Sequence, residues 1–494
     1  MKFGLEDVES AIQDRWPKLR ILVVGDVMLD AYIWGEVSRV SPEAPIPVVH
    51  ITQRTFAPGG AANVAMNLAG LGATVTLAGL RGCDEEGDRL EQLLRAAGVQ
   101  PRLVKRSEIG TTSKTRVMGG HQQMLRLDEE CLVTSPNESE GELLATVNAA
   151  VDDVDGVVLS DYAKGTLSTT LCREVIAKAR ARAIPVFVGP KRRDFSPYAG
   201  ATVICPNRQE LSFALGSPEN VSELFEQAHN LARNLFCPYL LVTMGEKGIA
   251  ILRDGEARHV PAQAKQVFDV SGAGDTVLAT VAVAILSGLD IDIAAELANV
   301  AAGIVVGKVG TVPIQEHELV AAISARTAQA LEKKILSRQQ LREAVAGWRS
   351  NGESIVFANG CFDLLHSGHL ALLEAGRREG SRLLVAINSD ESMRRLKGSG
   401  RPVVPERERA MLIAALQVVD AVTVFEEDTP LECIMELRPD VIVKGGDYSE
   451  SQVVGHREVK TWNGRVKIVP LVPGKSTSEL ISRLLVARAH EAAK

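Results

Sequence analysis

Aromatic residues are scarce in this 494-residue chain, where they make up only 4% of the sequence. A chain of this length exceeds one ordinary domain, so we expect at least two hydrophobic cores. With few large side chains, those cores must be filled by aliphatic and small residues, and the chain has 42 glycines. This composition suits buried parallel strands covered by closely packed helices.

An excess of basic charge is also missing, since the formal net charge is -7. Such a chain has no general attraction for a nucleic-acid backbone, so we expect no nucleic-acid partner. Any phosphate chemistry must therefore depend on local loops and a few cations.

Long apolar runs and paired cysteines are absent as well. The longest apolar run, at 277–289, is too short to cross a bilayer. The seven cysteines include no CxxC pair, which is typical of reduced thiols in the cytoplasm. Acidic residues among the first sixteen argue against a secretory signal. We expect a soluble cytoplasmic protein that does not bind membranes.

Strand-like runs alternate with helical stretches along most of the chain, which predicts an α/β fold. We place a first domain at 1–325, a helical connector without strands at 326–348, and a second domain at 349–494. The expected strands are 20–24, 73–78, 156–159, 185–188, 201–205 and 239–242 in the first domain, and 354–358, 383–388, 421–425, 441–444 and 466–471 in the second.

A glycine-rich segment, Ser271-Gly272-Ala273-Gly274-Asp275, lies between an expected strand at 266–270 and an expected helix at 276–287. Glycines let backbone amides face a phosphate, and the positive end of the helix adds to the attraction. Asp275 would then accept a proton from the hydroxyl that attacks the γ-phosphate of ATP. An ordinary strand–turn–helix is the alternative, and this segment alone does not decide between them.

Polar and small residues near the amino terminus offer contacts for a sugar. Asp26 and Asp30 follow the first strand, where carboxylates can hold sugar hydroxyls or simply cap a turn. Gly59 and Gly60 open a helix that contains Asn63. Glycines there allow a sugar to approach closely, although tight packing would also require them.

These motifs resemble those of the ribokinase-like (PfkB) carbohydrate kinases. The resemblance covers most of the first domain, and it implies a doubly wound α/β sheet with a small β lid. It also implies that Asp275 is the catalytic base, that Gly272, Ala273 and Gly274 form the anion hole, and that Asp30, Gly59, Gly60 and Asn63 bind the sugar.

Two further segments match the nucleotide-binding patterns of that family. Thr243 and Gly245 belong to a T-x-G-x-x-G loop. The run Asn207-Arg208-Gln209-Glu210 matches N-x-x-E, which is implied to place Mg²⁺ and the ATP phosphates. One departure is Gly189, where the family commonly has an aspartate that organises the ATP side.

The second domain carries Asn359-Gly360-Cys361-Phe362-Asp363 and then His366-Ser367-Gly368-His369, between a strand and a helix. Histidines three apart project to one side of a helix and can donate hydrogen bonds to the α-phosphate of a nucleotide. Attack at that phosphorus needs positioning and charge stabilisation more than a covalent nucleophile. Zinc is a weaker interpretation because no third ligand stands nearby, so we expect no resident metal.

This run resembles the H-x-G-H signature of the cytidylyltransferase-like nucleotidyltransferases, which implies a Rossmann-like second domain. Two alternatives stay open: the basic turn at Lys397 can be merely solvated, and Ser476 can be only a helix cap. The implied nucleotide-binding residues are Asn359, Gly360, Phe362, Asp363, Gly368, Lys397, Lys444, Gly445, Asp447, Ser476, Thr477 and Ser478.

The two domains in this order resemble the bifunctional heptose-7-phosphate kinase/heptose-1-phosphate adenylyltransferases of Gram-negative bacteria. The resemblance implies ATP as a substrate of both reactions, Mg²⁺, sugar phosphates as partners, and ADP-heptose as the product. We also expect a homodimer through a lid formed by 31–51 and 110–127. The alternatives are a fused kinase and cytidylyltransferase for another sugar, or one domain that only senses nucleotides.

Three cations are candidates for the phosphate of a sugar-phosphate substrate. If 113–118 is a strand, its alternation puts Lys114, Arg116 and Met118 on one face. Lys114, Arg116 or Arg126 would then contact the phosphate. A solvated basic face is the alternative.

Overall fold

The computed structural model describes residues 5–120, 122–130, 137–262, 267–446 and 449–470. The chain divides into two compact units, Met1–Ile323 and Ser324–Lys494. Each unit has its own sheet and its own hydrophobic core.

The first unit alternates strands and helices along most of its length. Its strands are β1 (Arg20–Gly25), β2 (Val27–Val40), β3 (Pro47–Gly60), β4 (Thr74–Gly82), β5 (Gln100–Arg106), β6 (Ser113–Gly119), β7 (Gln122–Glu129), β8 (Gly156–Ser160), β9 (Val186–Gly189), β10 (Val203–Ile204), β11 (Tyr239–Thr243), β12 (Ile249–Arg253) and β13 (Glu256–Val260). Its helices are α1 (Leu5–Ser10), α2 (Ala61–Gly70), α3 (Glu85–Ala96), α4 (Asn137–Val151), α5 (Thr169–Ala181), α6 (Arg208–Ala214), α7 (Val221–Asn234), α8 (Ala273–Leu286), α9 (Ile291–Val305) and α10 (Glu316–Glu332), which continues past the division between the units.

The main sheet of this unit has nine strands in the order β13-β12-β11-β10-β9-β8-β1-β4-β5. The last seven strands in this order, from β11 through β1 to β5, pair in parallel. Successive residues of β1 belong to different clusters, Ile21 and Val23 to one and Leu22 and Val24 to the other. Both faces of β1 are therefore covered, as expected for a central parallel strand. The strand order reverses at β1, which is flanked by β4 and β8. Open α/β sheets bind ligands at such a point.

A separate four-stranded sheet, in the order β3-β2-β6-β7, forms the lid. Strands β2 and β3 are each 14 residues long, and they extend beyond the segments that the sequence suggested for the lid. Every residue of β7 is exposed. Lys114 and Arg116 lie on β6, which pairs with β2 next to Asp30.

The second unit is a smaller parallel sheet covered by helices. Its order, β16-β15-β14-β17-β18, again reverses at a central strand, which is β14. Leu341 and Val345 of α11 are buried in its core, so that helix packs as part of this unit. The elements are α11 (Arg338–Ser350), β14 (Ile355–Gly360), α12 (Ser367–Arg377), β15 (Arg382–Asn388), α13 (Asp390–Lys397), α14 (Glu406–Ala414), β16 (Ala421–Phe425), α15 (Leu431–Leu437), β17 (Val441–Gly445), α16 (His456–Thr461) and β18 (Arg465–Val469).

One expected strand is wrong. Residues 267–270 form a loop, while residue 266 lies outside the described part of the chain. The amides of Phe268 and Asp269 donate to the carbonyl of Val306, and the Asp269 carboxylate accepts from the amides of Ser271 and Gly310. The loop is therefore held by the end of α9 and by an aspartate turn instead of a neighbouring strand. The helix after it begins at Ala273, earlier than expected.

Candidate active sites

The first site lies where β1 and β8 end. Gly25 ends β1, and a Cβ atom there would be 2.1 Å from the carbonyl oxygen of Ser160 at the end of β8. The two backbones therefore approach as closely as glycine permits. The loops that follow these strands carry Asp26 and Tyr162.

Asp275 lies in the first turn of α8 and is buried. Its Oδ2 accepts a hydrogen bond of 2.7 Å from Asn63 Nδ2. Its Oδ1 accepts one of 2.7 Å from the Tyr162 hydroxyl. Donors from α2 and from the loop after β8 thus fix both oxygens of one carboxylate.

Burial raises the pKa of Asp275 to about 6, a rise that the hydrogen bonds from Asn63 and Tyr162 partly offset. The nearby Asp30 raises this pKa further, and Lys191 lowers it. At neutral pH the carboxylate is therefore mostly ionised and can accept a proton from a hydroxyl.

The glycine-rich segment forms an open cradle before Asp275. Gly272 caps α8 with φ 78°, and a Cβ there would lie 2.6 Å from Asn63 Nδ2. A Cβ on Gly274 would meet no atom within 4 Å, so the space above it is free. Glycine is thus required at 272, and the first turn of α8 is open to an anion.

Two adjoining cavities reach this cradle. One of about 180 Å³ is polar in character, and its lining includes Tyr162, Lys191, Glu210, Thr243, Gly274 and Asp275. The other, of about 400 Å³, shares Thr243 and Gly274 with it, and its walls are mainly apolar, including Gly245, Val270, Ala273, Val277, Ala302 and Val306. An apolar pocket beside an anion cradle suits a nucleotide base next to its phosphates.

The N-x-x-E run forms a capping box at the start of α6. Asn207 accepts from the amide of Glu210, and Glu210 Oε2 accepts from the amide of Asn207. Glu210 Oε1 also pairs with Lys191 at 2.9 Å. Arg208 and Gln209 are exposed and line neither cavity.

Gly189 lines the smaller cavity. A Cβ there would lie 2.9 Å from Cδ2 of Leu278 in α8. The side chain that the kinase pattern leads one to expect would need Leu278 to shift, so glycine fits the local packing.

On the sugar side, Asp30 is buried and already bonded. Its Oδ1 pairs with Arg116 at 2.7 Å, and its Oδ2 accepts from the Thr311 hydroxyl at 3.0 Å. Gly59 lies against it, since a Cβ there would be 2.6 Å from Asp30 Oδ2. Gly60, with φ 59°, caps α2 and leads to Asn63.

Asp26 has a different task from Asp30. Its carboxylate accepts from three backbone amides, those of Tyr162, Lys164 and Thr166. It therefore fixes the loop after β8, which is the turn-holding alternative that the sequence had left open.

The three candidate cations differ in their surroundings. Arg116 is paired with Asp30, and Arg126 with Asp128 on the exposed strand β7. Lys114 makes no ion pair within 4.0 Å among the described residues, and its ammonium lies 5.9 Å from the centre of the Tyr162 ring. Burial lowers the pKa of Lys114.

Sequence reasoning missed Tyr162, which contacts Asp275 directly. A phenol has no diagnostic spacing, unlike a glycine-rich loop. The available signal was position: Ser160-Asp161-Tyr162 follows a buried parallel strand, where functional side chains of α/β sheets gather.

The second site lies at the carboxyl ends of β14 and β17. His366 caps α12, and its Nδ1 accepts from the amide of Gly368 at 3.1 Å. The rings of His366 and His369 stack with centroids 3.8 Å apart. Phe362, with φ 48°, packs against His369 at 4.9 Å. The two imidazoles are thus brought together as the sequence predicted.

His369 is held in its neutral form. Burial lowers its pKa to about 4, with further contributions from His366 and Lys397. Its Nδ1 is buried without a hydrogen-bond partner among the described residues. A neutral imidazole has one donor and one acceptor nitrogen, so it can hydrogen-bond a ligand without carrying a charge.

Asp363 holds a loop in place. Its carboxylate accepts from the amides of Val403 and Val404 and pairs with Arg401. Although burial raises the pKa of Asp363, these bonds leave it below its usual value. Asp363 thus shapes the segment that follows α13, and the structure gives it no free oxygen pair to offer a nucleotide.

Arg409 was also missed by the sequence. It is fully buried and donates to the carbonyls of Cys361 and Val404, and it pairs with Asp390 at 2.7 Å. It therefore ties the loop after β14 to the start of α13. An arginine inside a charged, helical stretch gives no sign of such a role in the sequence.

Some of the remaining predicted nucleotide-site residues lie in the described part of the chain, and the others lie outside it. Lys444 Nζ lies 3.5 Å from the carbonyl oxygen of Asn359, and burial lowers its pKa. Gly360 packs on Phe362, Gly445 faces Leu372, and Lys397 ends α13 in an exposed position. Outside the described residues lie Asp447, Ser476, Thr477 and Ser478.

Comparisons with known proteins match both units. The model of the pfkB family carbohydrate kinases matches residues 18–318, and the Cytidylyltransferase-like model matches residues 357–484. A curated relative from Koribacter versatilis, Bifunctional protein HldE, is 49% identical over 484 residues, which are 98% of this chain and 100% of the relative. The chain belongs to the HldE family of bifunctional proteins.

Other HldE relatives agree. The protein of Methylobacillus flagellatus is 49% identical over 467 residues, with 94% of this chain and 96% of the relative covered. The protein of Pseudomonas aeruginosa is 46% identical over 472 residues, with 95% and 98% covered. Family membership makes the chain both a sugar kinase and a nucleotidyltransferase.

Solved structures support the fold of the first unit. Phosphofructokinase-2 from Escherichia coli in complex with potassium has a TM-score of 0.53 at 18% identity, covering 62% of this chain and 99% of that one. The predicted ribokinase-like fold is confirmed. Among the described residues, no helix is long and apolar enough to cross a membrane, and no group of three or more potential metal ligands occurs.

The neutral state of His369 is testable by NMR. With labelled histidine, the His369 ring should titrate near pH 4 and stay neutral at pH 7, because burial and its neighbours disfavour the charged form. In His366→Asn, the pKa should rise because a neighbouring imidazole is lost, while asparagine still caps the helix. A wild-type ring that titrates near pH 6.5, the ordinary value, would contradict this description of the site.

Proposed function

We propose that this chain carries out two steps of ADP-heptose synthesis for the lipopolysaccharide core. The first unit phosphorylates O1 of D-glycero-β-D-manno-heptose 7-phosphate with ATP, giving the 1,7-bisphosphate. After a separate phosphatase removes the 7-phosphate, the second unit joins heptose 1-phosphate to AMP and releases pyrophosphate. Residues 1–325 would carry the first reaction, 349–494 the second, and 326–348 would join them.

The observation that carries this proposal is the presence of two separate sites in one chain, each at the start of a helix. Asp275 lies mostly ionised beside an open glycine cradle, and neutral His369 stacks on His366 at the start of α12. Similarity over nearly the full length to the HldE proteins supports the same pair of activities here.

In the kinase step, Asp275 accepts the proton of the O1 hydroxyl as that oxygen attacks the γ-phosphorus. The O1–phosphorus bond forms while the bond from phosphorus to the β–γ bridging oxygen breaks, and ADP leaves. Amides at Gly272 and Gly274 would face the charge that develops on the phosphoryl oxygens, whereas the Ala273 amide donates to the carbonyl of Val270 at 3.3 Å. Burial of Asp275 keeps water from competing for its proton-accepting oxygen.

Mg²⁺ fits the nucleotide side of this site. Glu210 lines the polar cavity, and its carboxylate, which the Asn207 amide and Lys191 hold in place, is the kind of ligand that Mg²⁺ prefers. Mg²⁺ commonly binds through one or two carboxylates, waters and substrate phosphates, so no larger ligand cluster is needed. When bound with ATP, it neutralises phosphate charge.

In the adenylyl step, a phosphate oxygen of heptose 1-phosphate attacks the α-phosphorus of ATP, and pyrophosphate leaves. His366 and His369 would contact the α-phosphate, and Lys444 and Lys397 would supply positive charge to the others. Catalysis of this kind depends on position and electrostatics, and no residue is consumed.

For the 7-phosphate, we propose Lys114 as the principal contact. Arg116 and Arg126 are already paired with carboxylates. If either arginine left its carboxylate to bind the 7-phosphate, the free energy lost with the old pair would offset the free energy gained from the new contact. Lys114 is partly buried and has no such carboxylate partner among the described residues. A partly desolvated lysine gains most from a phosphate.

We also propose a homodimer through the lid and a cytoplasmic location. Large apolar side chains are exposed on the lid strands and on the turn between β2 and β3, a surface that monomers usually avoid. They are Val37, Val40, Ile46, Ile51, Met124, Leu125 and Leu127. The cysteines of the described residues are all free, which suits a reducing compartment.

Lys114→Ala should raise the KM for heptose 7-phosphate by roughly ten- to a hundredfold, while kcat changes less. Arg126→Ala is the matched control, because it removes an exposed cation of the same lid whose charge is already paired. Steady-state kinase kinetics measure both. Equal KM values for wild type and Lys114→Ala would reject this phosphate contact.

Substituting Asp275 and His369 one at a time should separate the two activities. Asp275→Asn should lower phosphorylation by at least ~100-fold and spare adenylyl transfer, whereas His369→Ala should do the reverse. Mass spectrometry of products from ATP or CTP with each heptose phosphate measures both reactions. Each variant is its own folding control, because the other activity must persist. Product from CTP alone, or loss of both activities in a folded variant, would contradict the proposal.

A further inference from the structure

Tyr162 occupies a position that the proposed mechanism leaves unused. Its hydroxyl donates to Asp275 Oδ1 at 2.7 Å, opposite the bond from Asn63 to Oδ2. A carboxylate bonded at both oxygens cannot rotate freely, so its orientation toward the sugar hydroxyl is fixed.

The loop that carries Tyr162 is itself fixed. The amide of Tyr162 donates to Asp26 Oδ2 at 2.7 Å. The preceding Asp161 is buried, accepts from the Tyr198 hydroxyl at 2.6 Å, and pairs with Arg192 at 2.5 Å. Two buried carboxylates thus determine where the Tyr162 side chain lies.

The ring of Tyr162 also lies near two cations. Lys114 of the lid strand β6 and Lys191 of the loop after β9 each place their ammonium 5.9 Å from its centre. Lys191 in turn pairs with Glu210 on the nucleotide side. Cation–π contacts of this kind contribute attraction even at partly exposed sites. One side chain therefore links the base, the lid and the nucleotide cavity.

Tyr162 does not compete with Asp275 for the proton. Burial, and then the negative Asp275, raise the pKa of the Tyr162 phenol well above its ordinary value. The phenol stays protonated, so it acts as a hydrogen-bond donor throughout.

We propose that Tyr162 is a positioning residue for phosphoryl transfer, whose hydroxyl orients Asp275 and favours its charged form, while its ring joins the lid lysine to the nucleotide side. This inference rests on the proposed function in taking Asp275 as the base.

The sign of the pH effect follows from the charged groups around the pair. Asp30 of β2 faces Asp275 and disfavours its charged form, Lys191 favours it, and Glu210 of α6 and Lys114 of β6 face Tyr162. Removing the Tyr162 hydroxyl takes away a donor that stabilises the carboxylate, so the pKa of Asp275 must rise. The acid limb of the kinase pH profile should then move to higher pH.

Tyr162→Phe tests this, because it keeps the ring and removes only the hydroxyl. We expect kinase kcat/KM at neutral pH to fall by roughly tenfold and its acid limb to shift up by roughly half a unit to one unit. Tyr198→Phe is the matched control, since it removes a buried tyrosine hydroxyl bonded to Asp161 and not to Asp275, while Arg192 and the Ala163 amide still hold Asp161. It should leave the acid limb in place. Adenylyl transfer by both variants reports that the chain is folded.

A uniform loss of rate in Tyr162→Phe, with the limb unmoved, would overturn the proposal, because a merely structural role predicts that result. If wild type fails to phosphorylate heptose 7-phosphate, the proposed substrate is wrong, and the inference is decided without substrate. In that case the carboxyl carbon of Asp275, assigned by comparison with Asp275→Asn, is titrated by NMR in both proteins. An unchanged titration midpoint of Asp275 in Tyr162→Phe would reject the positioning role of Tyr162.

Discussion

A helix that starts at the carboxyl edge of a parallel sheet leaves its first backbone amides without helical partners, and that constraint underlies both halves of this chain. The strand order reverses at β1 in one sheet and at β14 in the other, which opens a crevice at the carboxyl edge. In the first unit the open amides belong to the start of α8, after Gly272. In the second, the amides of Gly368 and His369 already donate to His366, which leaves the amide of Ser367 at the start of α12. Helix starts at this edge of the sheet suit the binding of phosphate groups.

Burial shifts the pKa values of Asp275 and His369 in opposite directions, and each shift suits the role proposed for that residue. It raises the pKa of Asp275 to about 6 and lowers that of His369 to about 4. At neutral pH the first is mostly charged and the second is neutral. The carboxylate can therefore accept a proton, while the imidazole can share hydrogen bonds with a phosphate without adding a charge. Hydrogen bonds from Asn63 and Tyr162 limit the rise in the pKa of Asp275.

The sequence predicted what glycine, histidine and apolar periodicity encode. The buried strands β1, β8 and β14, the glycine cradle before Asp275 and the paired imidazoles all lie where their patterns suggested. These features are local, because a few adjacent residues determine them.

Features that depend on distant partners could not be predicted. The loop at 267–270 has strand-like residues, yet its amides bond to Val306 and its aspartate forms a turn. Arg409 has its role only because folding brings it to Cys361 and Asp390. Asp363 matched a nucleotide-binding pattern, but its oxygens hold the loop at 401–404.

The central claim is that each unit holds a nucleotide at the start of one helix, α8 in the first unit and α12 in the second. A crystal structure of the intact chain with a non-hydrolysable ATP analogue tests it most directly. We expect one triphosphate at Gly272–Gly274 beside Asp275 and a second at the start of α12 beside His366 and His369. Triphosphates bound away from either junction, with the cradle blocked by side chains, would contradict the account.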